Sequence, residues 1–155
     1  MRLTLHTDYA LRVLMLLAAS EERATIGAIA DRYGISRNHL MKVVQRLVQL
    51  ELVRSDRGRG GGLRLARPAE EIAIGGVVRS LEETGTFVEC FDAGSNRCRA
   101  APACGLRGVL AGALDAFMAH LDRVTLADVM ADAPQFAAAL GLPPVPPLPS
   151  ATASR

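Results

Sequence analysis

Residues 25–66 run TIGAIADRYG, ISRNHLMKVVQRLVQLE, LVRSDRGRGGGLRLA, and this order of caps, apolar spacing and glycines admits very few folds. Thr25 can accept a bond from the free N–H groups that open a helix over Ile26–Tyr33, and Gly34 can adopt the left-handed conformation with which helices end. A second helix is expected from about Arg37 to Leu50, with Ser36 at its N-cap. Its Leu40, Val43, Val44 and Leu47 recur at spacings of three and four, which places them on one inward face. Helix, glycine turn, helix is the arrangement of a helix-turn-helix. Two short strands, Leu52–Ser55 and Gly62–Ala66, then flank a basic glycine-rich tip and read as a wing.

A helix over residues 7–19, capped by Thr7 or Asp8, precedes this unit and puts Tyr9, Leu11, Val13, Leu14 and Leu17 on or near one face. The fold class is therefore mainly α with a small β-wing: a winged helix-turn-helix domain over residues 1–68. In such a domain the second helix of the pair enters the major groove of double-stranded DNA, with its first turns at the bases. Those turns carry Ser36, Arg37, Asn38, His39 and Lys42, followed by Gln45 and Arg46. Arg can bond guanine and Asn adenine through paired hydrogen bonds, while Ser and Lys suit phosphates. Arg57 and Arg59 occupy the wing tip, where an arginine can enter the minor groove. The competing reading is an ordinary solvated helix face. The GRGGG run is not a nucleotide-phosphate loop, because the Lys-Ser/Thr step and the following helix are missing.

Charge is divided in the same way. Residues 1–67 hold 12 Lys/Arg against 6 Asp/Glu, a net +6, while residues 68–155 hold 6 against 10, a net −4. A basic reading half joined to an acidic sensing or assembly half fits. No apolar run reaches the roughly 18 residues that span a bilayer, and the start lacks a secretory cleavage site. The expectation is a cytoplasmic chain with no membrane partner, where lasting disulfides are rare.

After Pro68 a short helix fits Ile74–Glu83, and residues 69–104 form a linking helix and a loop. That loop carries every cysteine of the chain, Cys90, Cys98 and Cys104, spaced C-x7-C-x5-C. Structural zinc usually takes close cysteine pairs and four protein ligands, so it fits poorly. Iron–sulfur clusters accept wider and uneven spacings, and three thiolates would leave one iron in need of another donor. A redox-active thiol without metal is the main alternative. From Gly105 a long helix presents Leu106, Val109, Leu110, Ala113, Leu114, Phe117, Met118 and Leu121 as one apolar stripe. A symmetric homodimer through this helix is expected, against packing wholly within its own chain. Residues 105–131 thus comprise the dimerisation helix and a short helix from Leu126 capped by Thr125. Residues 132–155 are Pro-, Ser- and Ala-rich and read as a disordered tail. His6, His39 and His120 are scattered and no nucleophile–base pair stands out, so no catalytic residue is assigned and no enzyme is expected.

Three segments, LTLHTDYALRVLMLLA, YGISRNHLMKVVQRLVQLELVRSDRGRGGGLRLA and VECFDAGSNRCRAAPACGLRGVL, together resemble the bacterial Rrf-two family of iron–sulfur winged-helix regulators. The likeness spans residues 1–131 and is strongest to the family's nitric-oxide-sensing repressors. It implies that Cys90, Cys98 and Cys104 hold a 4Fe–4S cluster, with 2Fe–2S as the alternative. It also implies that Asp8 supplies an oxygen ligand from the opposite subunit, although an N-cap or a pair with Arg12 would equally occupy that carboxylate. The resemblance further implies that nitric oxide acts as the signal by releasing the protein from a two-fold symmetric DNA site. A related branch, which senses cluster supply, places a histidine ligand just after its cysteines. Here Gly105, Leu106 and Arg107 follow Cys104.

Overall fold

The computed structural model describes residues 3–20, 22–56, 58, 60–82, 87–144 and 146. Helix α1, Leu5–Ala18, lies at the centre, with Ala10, Val13, Leu14, Leu16 and Leu17 buried. It starts a little earlier than the sequence suggests. Two threonines compete for the cap, and Thr4 wins: its Oγ1 accepts the Thr7 N–H at 3.2 Å, while Thr7 itself is fully buried. Asp8 therefore sits inside the first helical turn, where the free N–H groups favour a carboxylate.

Helix α2, Ile26–Tyr33, opens on the Thr25 hydroxyl, which accepts the Ala28 N–H, and closes on Gly34 at φ 63°. Helix α3 covers Arg37–Gln49 and packs Leu40, Val43, Val44 and Leu47 against α1 and α2. Ser36 occupies its N-cap position but makes no side-chain capping bond. The wing consists of β1, Val53–Asp56, and β2, Gly62–Leu65, paired antiparallel from Val53↔Leu65 to Asp56↔Gly62. Leu63 also exchanges two backbone hydrogen bonds with Ala24, which anchors the wing to the segment entering α2.

Helix α4, Ile74–Leu81, ends two residues short of the expected Glu83. At Gly75 it meets helix α5, Gly105–Asp122, so closely that a Cβ would lie 2.8 Å from the Asp122 backbone nitrogen. Arg79 and Asp122 close the same crossing with a two-pronged ion pair. Desolvation is outweighed there: the Arg79 hydrogen bond holds the Asp122 carboxyl below the usual range. Helix α6, Leu126–Val129, begins with a reciprocal cap between Thr125 and Asp128, and its entry is tied to α4 by Ile74 N–H to Val124 O and Leu126 N–H to Ile72 O.

The expectation of disorder over residues 132–155 needs correction for its first part; residues 145 and 147–155 of that tail lie outside the described residues. Helix α7 covers Ala133–Ala139, capped by Asp132, with Ala133 and Ala137 buried. Its proline lies within the first turn, where the missing N–H costs nothing, and small alanines let the helix approach the core closely. Arg32 of α2 donates to the carbonyls of Leu140 and Gly141 at 2.7 and 2.8 Å, satisfying the open end of α7. No helix among the described residues is long and apolar enough to cross a membrane.

Candidate nucleic-acid interface and cysteine loop

The core-facing stripe of α3 leaves Ser36, Arg37, Asn38, His39, Lys42 and Gln45 exposed along one surface. Arg37 is steadied by Asp31 of α2 at 3.4 Å. The His39 ring lies 6.4 Å from that of Tyr9. Arg46 does not join them: it donates to the Ser80 carbonyl at 3.2 Å, so its charge fastens α3 to α4. Arg57 and Arg59 lie outside the described residues. Around them, Gly58 and Gly60 take φ of 100° and 76°, which a side chain resists, and the Gly61 N–H closes a turn onto the Gly58 carbonyl.

Asp8 is salt-bridged to Arg12 at 2.8 Å, the pairing already legible from their spacing of four. Arg12 stands 5.9 Å from the centres of both the Tyr9 and Tyr33 rings. The Tyr33 hydroxyl donates to the Arg12 carbonyl; burial pushes this phenol up to about 12, against the lowering pull of Arg12. Nearby, Glu82 accepts from the Thr4 N–H at 2.8 Å and the Thr4 hydroxyl at 2.9 Å. Desolvation raises that carboxyl, but bonds from Thr7 and Thr4 outweigh it and leave it below its ordinary range. The start of α1 is thus fastened to the segment leading into the cysteine loop, a tie between residues 78 apart that no local pattern signals.

The three thiols are unbridged. Cys90 lies half-exposed in a short turn, Glu89–Phe91, and the rings of Phe87 and Phe91 lie tilted to one another with their centres 6.1 Å apart. Cys98 is exposed and donates its backbone N–H to the Asn96 side chain. Cys104 is half-buried at the start of α5, beside an open hollow of about 530 Å³ that also touches Phe91, Pro102, Arg107 and Asp115. The loop is held by its own polar residues. Asp92 accepts from the Ser95 hydroxyl and Gly94 N–H, which lower its carboxyl, and Glu89 accepts the Arg97 N–H at 2.6 Å.

Among the described residues of one chain, no three His, Cys, Asp or Glu converge closely enough to ligate one metal. The donor chemistry fits an iron–sulfur group nonetheless: three unbridged soft sulfurs lie on one loop, whose own side-chain bonds at Arg97 N–H and Cys98 N–H are exposed and cheap to rearrange. Beyond this loop, α5 extends with Met118 as its one buried residue; Leu106 and Val109 are 61% and 68% exposed.

Residues 3–132 match the Rrf2 family, described as iron-dependent transcriptional regulators. The chain belongs to the Rrf2 family. It is accordingly a DNA-binding transcriptional regulator and not an enzyme. Among curated Rrf2-type relatives it is 53% identical over 132 residues to the HTH-type transcriptional regulator NsrR of Bacillus subtilis, covering 84% of this chain and 90% of that protein. It is 45% identical to NsrR of Oceanobacillus iheyensis over 92% of this chain and 98% of that one. Of solved structures, T. potens IscR superposes with a TM-score of 0.69 at 28% identity, covering 88% of this chain and 90% of that one. The oxidized form of Staphylococcus aureus CymR gives 0.65 at 27%, covering 83% and 95%. The mainly α architecture with its two-stranded wing agrees with this family, as the sequence reading expected.

Proposed function

We propose that this Rrf2 regulator is a repressor that senses nitric oxide through an iron–sulfur cluster, 4Fe–4S in type, held by Cys90, Cys98 and Cys104. The observation that carries this reading is the set of three unbridged thiols on the loop leading into α5. The similarity to NsrR proteins supports the choice of signal. A cluster held there would supply iron that reacts with nitric oxide, whereas the bare thiols of the loop offer only S-nitrosylation.

The chain's own residues do the rest. Leu106, Val109 and their neighbours on α5 pair with the same face of a second copy, forming a homodimer. The partner subunit's Asp8 serves as the remaining oxygen ligand and must leave Arg12 to do so, exchanging one half-exposed ion pair for another bond. Because Asp8 and the Thr4–Glu82 tie both act on α1, and α1 packs on α3, a change at the loop alters how α3 is held. In DNA binding, Ser36, Arg37, Asn38, His39, Lys42 and Gln45 face the major groove, while Arg57 and Arg59 reach the backbone and minor groove from the wing. Division into a reading unit over 1–68, a cluster loop within 69–104 and an assembly helix from 105 follows from these roles.

An absorbance spectrum taken without oxygen, with iron and sulfide analysis, tests the cofactor. A broad visible band accompanied by iron and acid-labile sulfide, lost in Cys90→Ala, Cys98→Ala and Cys104→Ala, is expected. Colourless, iron-free protein after reconstitution would instead leave the thiols themselves as the sensor.

A further inference from the structure

An acidic residue sits in the middle of the basic wing. Asp56 ends β1, next to Arg57 and two residues from Gly58, on a surface that otherwise gathers positive charge. Against a polyanion such a carboxylate is unfavourable, since it repels the phosphates its neighbours attract. Its contacts give it another purpose. One oxygen, Oδ2, accepts from Arg64 Nε at 3.2 Å and faces Arg23 Nη2 at 3.3 Å. The other arm of the Arg23 guanidinium, Nη1, donates to the Gly60 carbonyl at 3.2 Å.

Arg23 thus grips the wing tip at both feet of the turn, at Asp56 on one side and at Gly60 on the other. The grip is reinforced by the backbone. Ala24 and Leu63 exchange hydrogen bonds of 3.2 and 2.8 Å, and a Cβ on Gly62 would stand 3.0 Å from that of Arg23. Arg54 and Arg64 face each other across the strands, a like-charge pair that would push the hairpin apart. Asp56 neutralises one of them.

We propose that Arg23 and Asp56 are positioning residues for DNA recognition: they fix the angle of the wing tip so that the arginines on it meet the duplex. This rests on the reading of the wing as a DNA-contacting element. The planar guanidinium matters, because a lysine can reach one foot of the turn but not both.

The sign of one effect separates positioning from simple charge. Affinity for a symmetric DNA site chosen by selection from a random pool is measured at fixed salt for wild type, Asp56→Asn, Arg23→Lys and the double variant Arg57→Ala/Arg59→Ala. Asp56→Asn removes a negative charge and should tighten binding if charge alone counts. Positioning requires the opposite, a weakening of about fivefold in both Asp56→Asn and Arg23→Lys. Placed on the Arg57→Ala/Arg59→Ala background, Asp56→Asn should then change affinity by less than about twofold, because the contact it governs is gone. Equal or tighter binding by Asp56→Asn in the wild-type background overturns the proposal, as does an equal loss in both backgrounds, which marks a general folding defect. If Arg57→Ala/Arg59→Ala itself leaves affinity unchanged, the wing reading fails, and the positioning role fails with it.

Discussion

Asn38 and Gly75 do opposite kinds of work, one by what it exposes and the other by what it lacks. Asn38 stands free on α3, and its amide is the group best matched to an adenine edge. Asn38→Ala should cost about 1–3 kcal/mol at one base position of each half-site and relax preference there, which competition with single-base variants of the site would reveal. Unchanged preference would remove Asn38 from the reading set. Gly75 has no surface role. An added methyl would meet the Asp122 carboxylate and backbone where α4 crosses α5, so Gly75→Ala should destabilise the fold by about 1–3 kcal/mol, read as a lower urea midpoint. The Arg79–Asp122 pair would be displaced with it. The candidate ligands and DNA-facing residues could be named from the sequence because their types carry the chemistry. Arg23, Asp56 and Glu82 could not, since each acts on a partner brought near only by the fold.

At the scale of elements, legibility followed the caps. Thr25 and Gly34 bracket α2 unambiguously, and both bounds match the sequence reading. For α1, Thr4 and Thr7 are both competent caps; the burial of Thr7 and the Glu82 contact to Thr4 decide between them, and neither is local. Helix α7 was hidden because alanine and proline composition reads as disorder unless something buries the alanines and caps the ends, which the core and Arg32 do. Helix α5 was evident from its stripe, but its partner was not. With Leu106 and Val109 turned outward, the double change Leu106→Glu/Val109→Glu would place like charges across the proposed two-fold interface. It should convert dimer to monomer in sedimentation and weaken DNA binding by well over tenfold, since two half-sites would no longer be held together. Retention of the wild-type sedimentation coefficient would contradict a dimer formed through α5.

For the whole molecule, the arrangement links the cysteine loop to the proposed DNA-reading face of α3 through one central helix. Helix α1 carries Asp8 and Arg12, is pinned to the loop's entry by Glu82, and packs directly on α3. Opposite charges in the two halves of the chain match the proposed division between reading and sensing. What the sequence could not convey is convergence: three thiols and a carboxylate are recognisable one by one, but the proposed meeting of them would depend on the path of a loop and on a second copy of the chain. The central claim is that nitric oxide reaching the loop releases DNA. Fluorescence anisotropy of a labelled symmetric site, recorded without oxygen as nitric oxide is added to the iron-loaded protein, tests it most directly. Dissociation of DNA in step with loss of the visible band is the result predicted here. A band that bleaches while the DNA stays bound would contradict it.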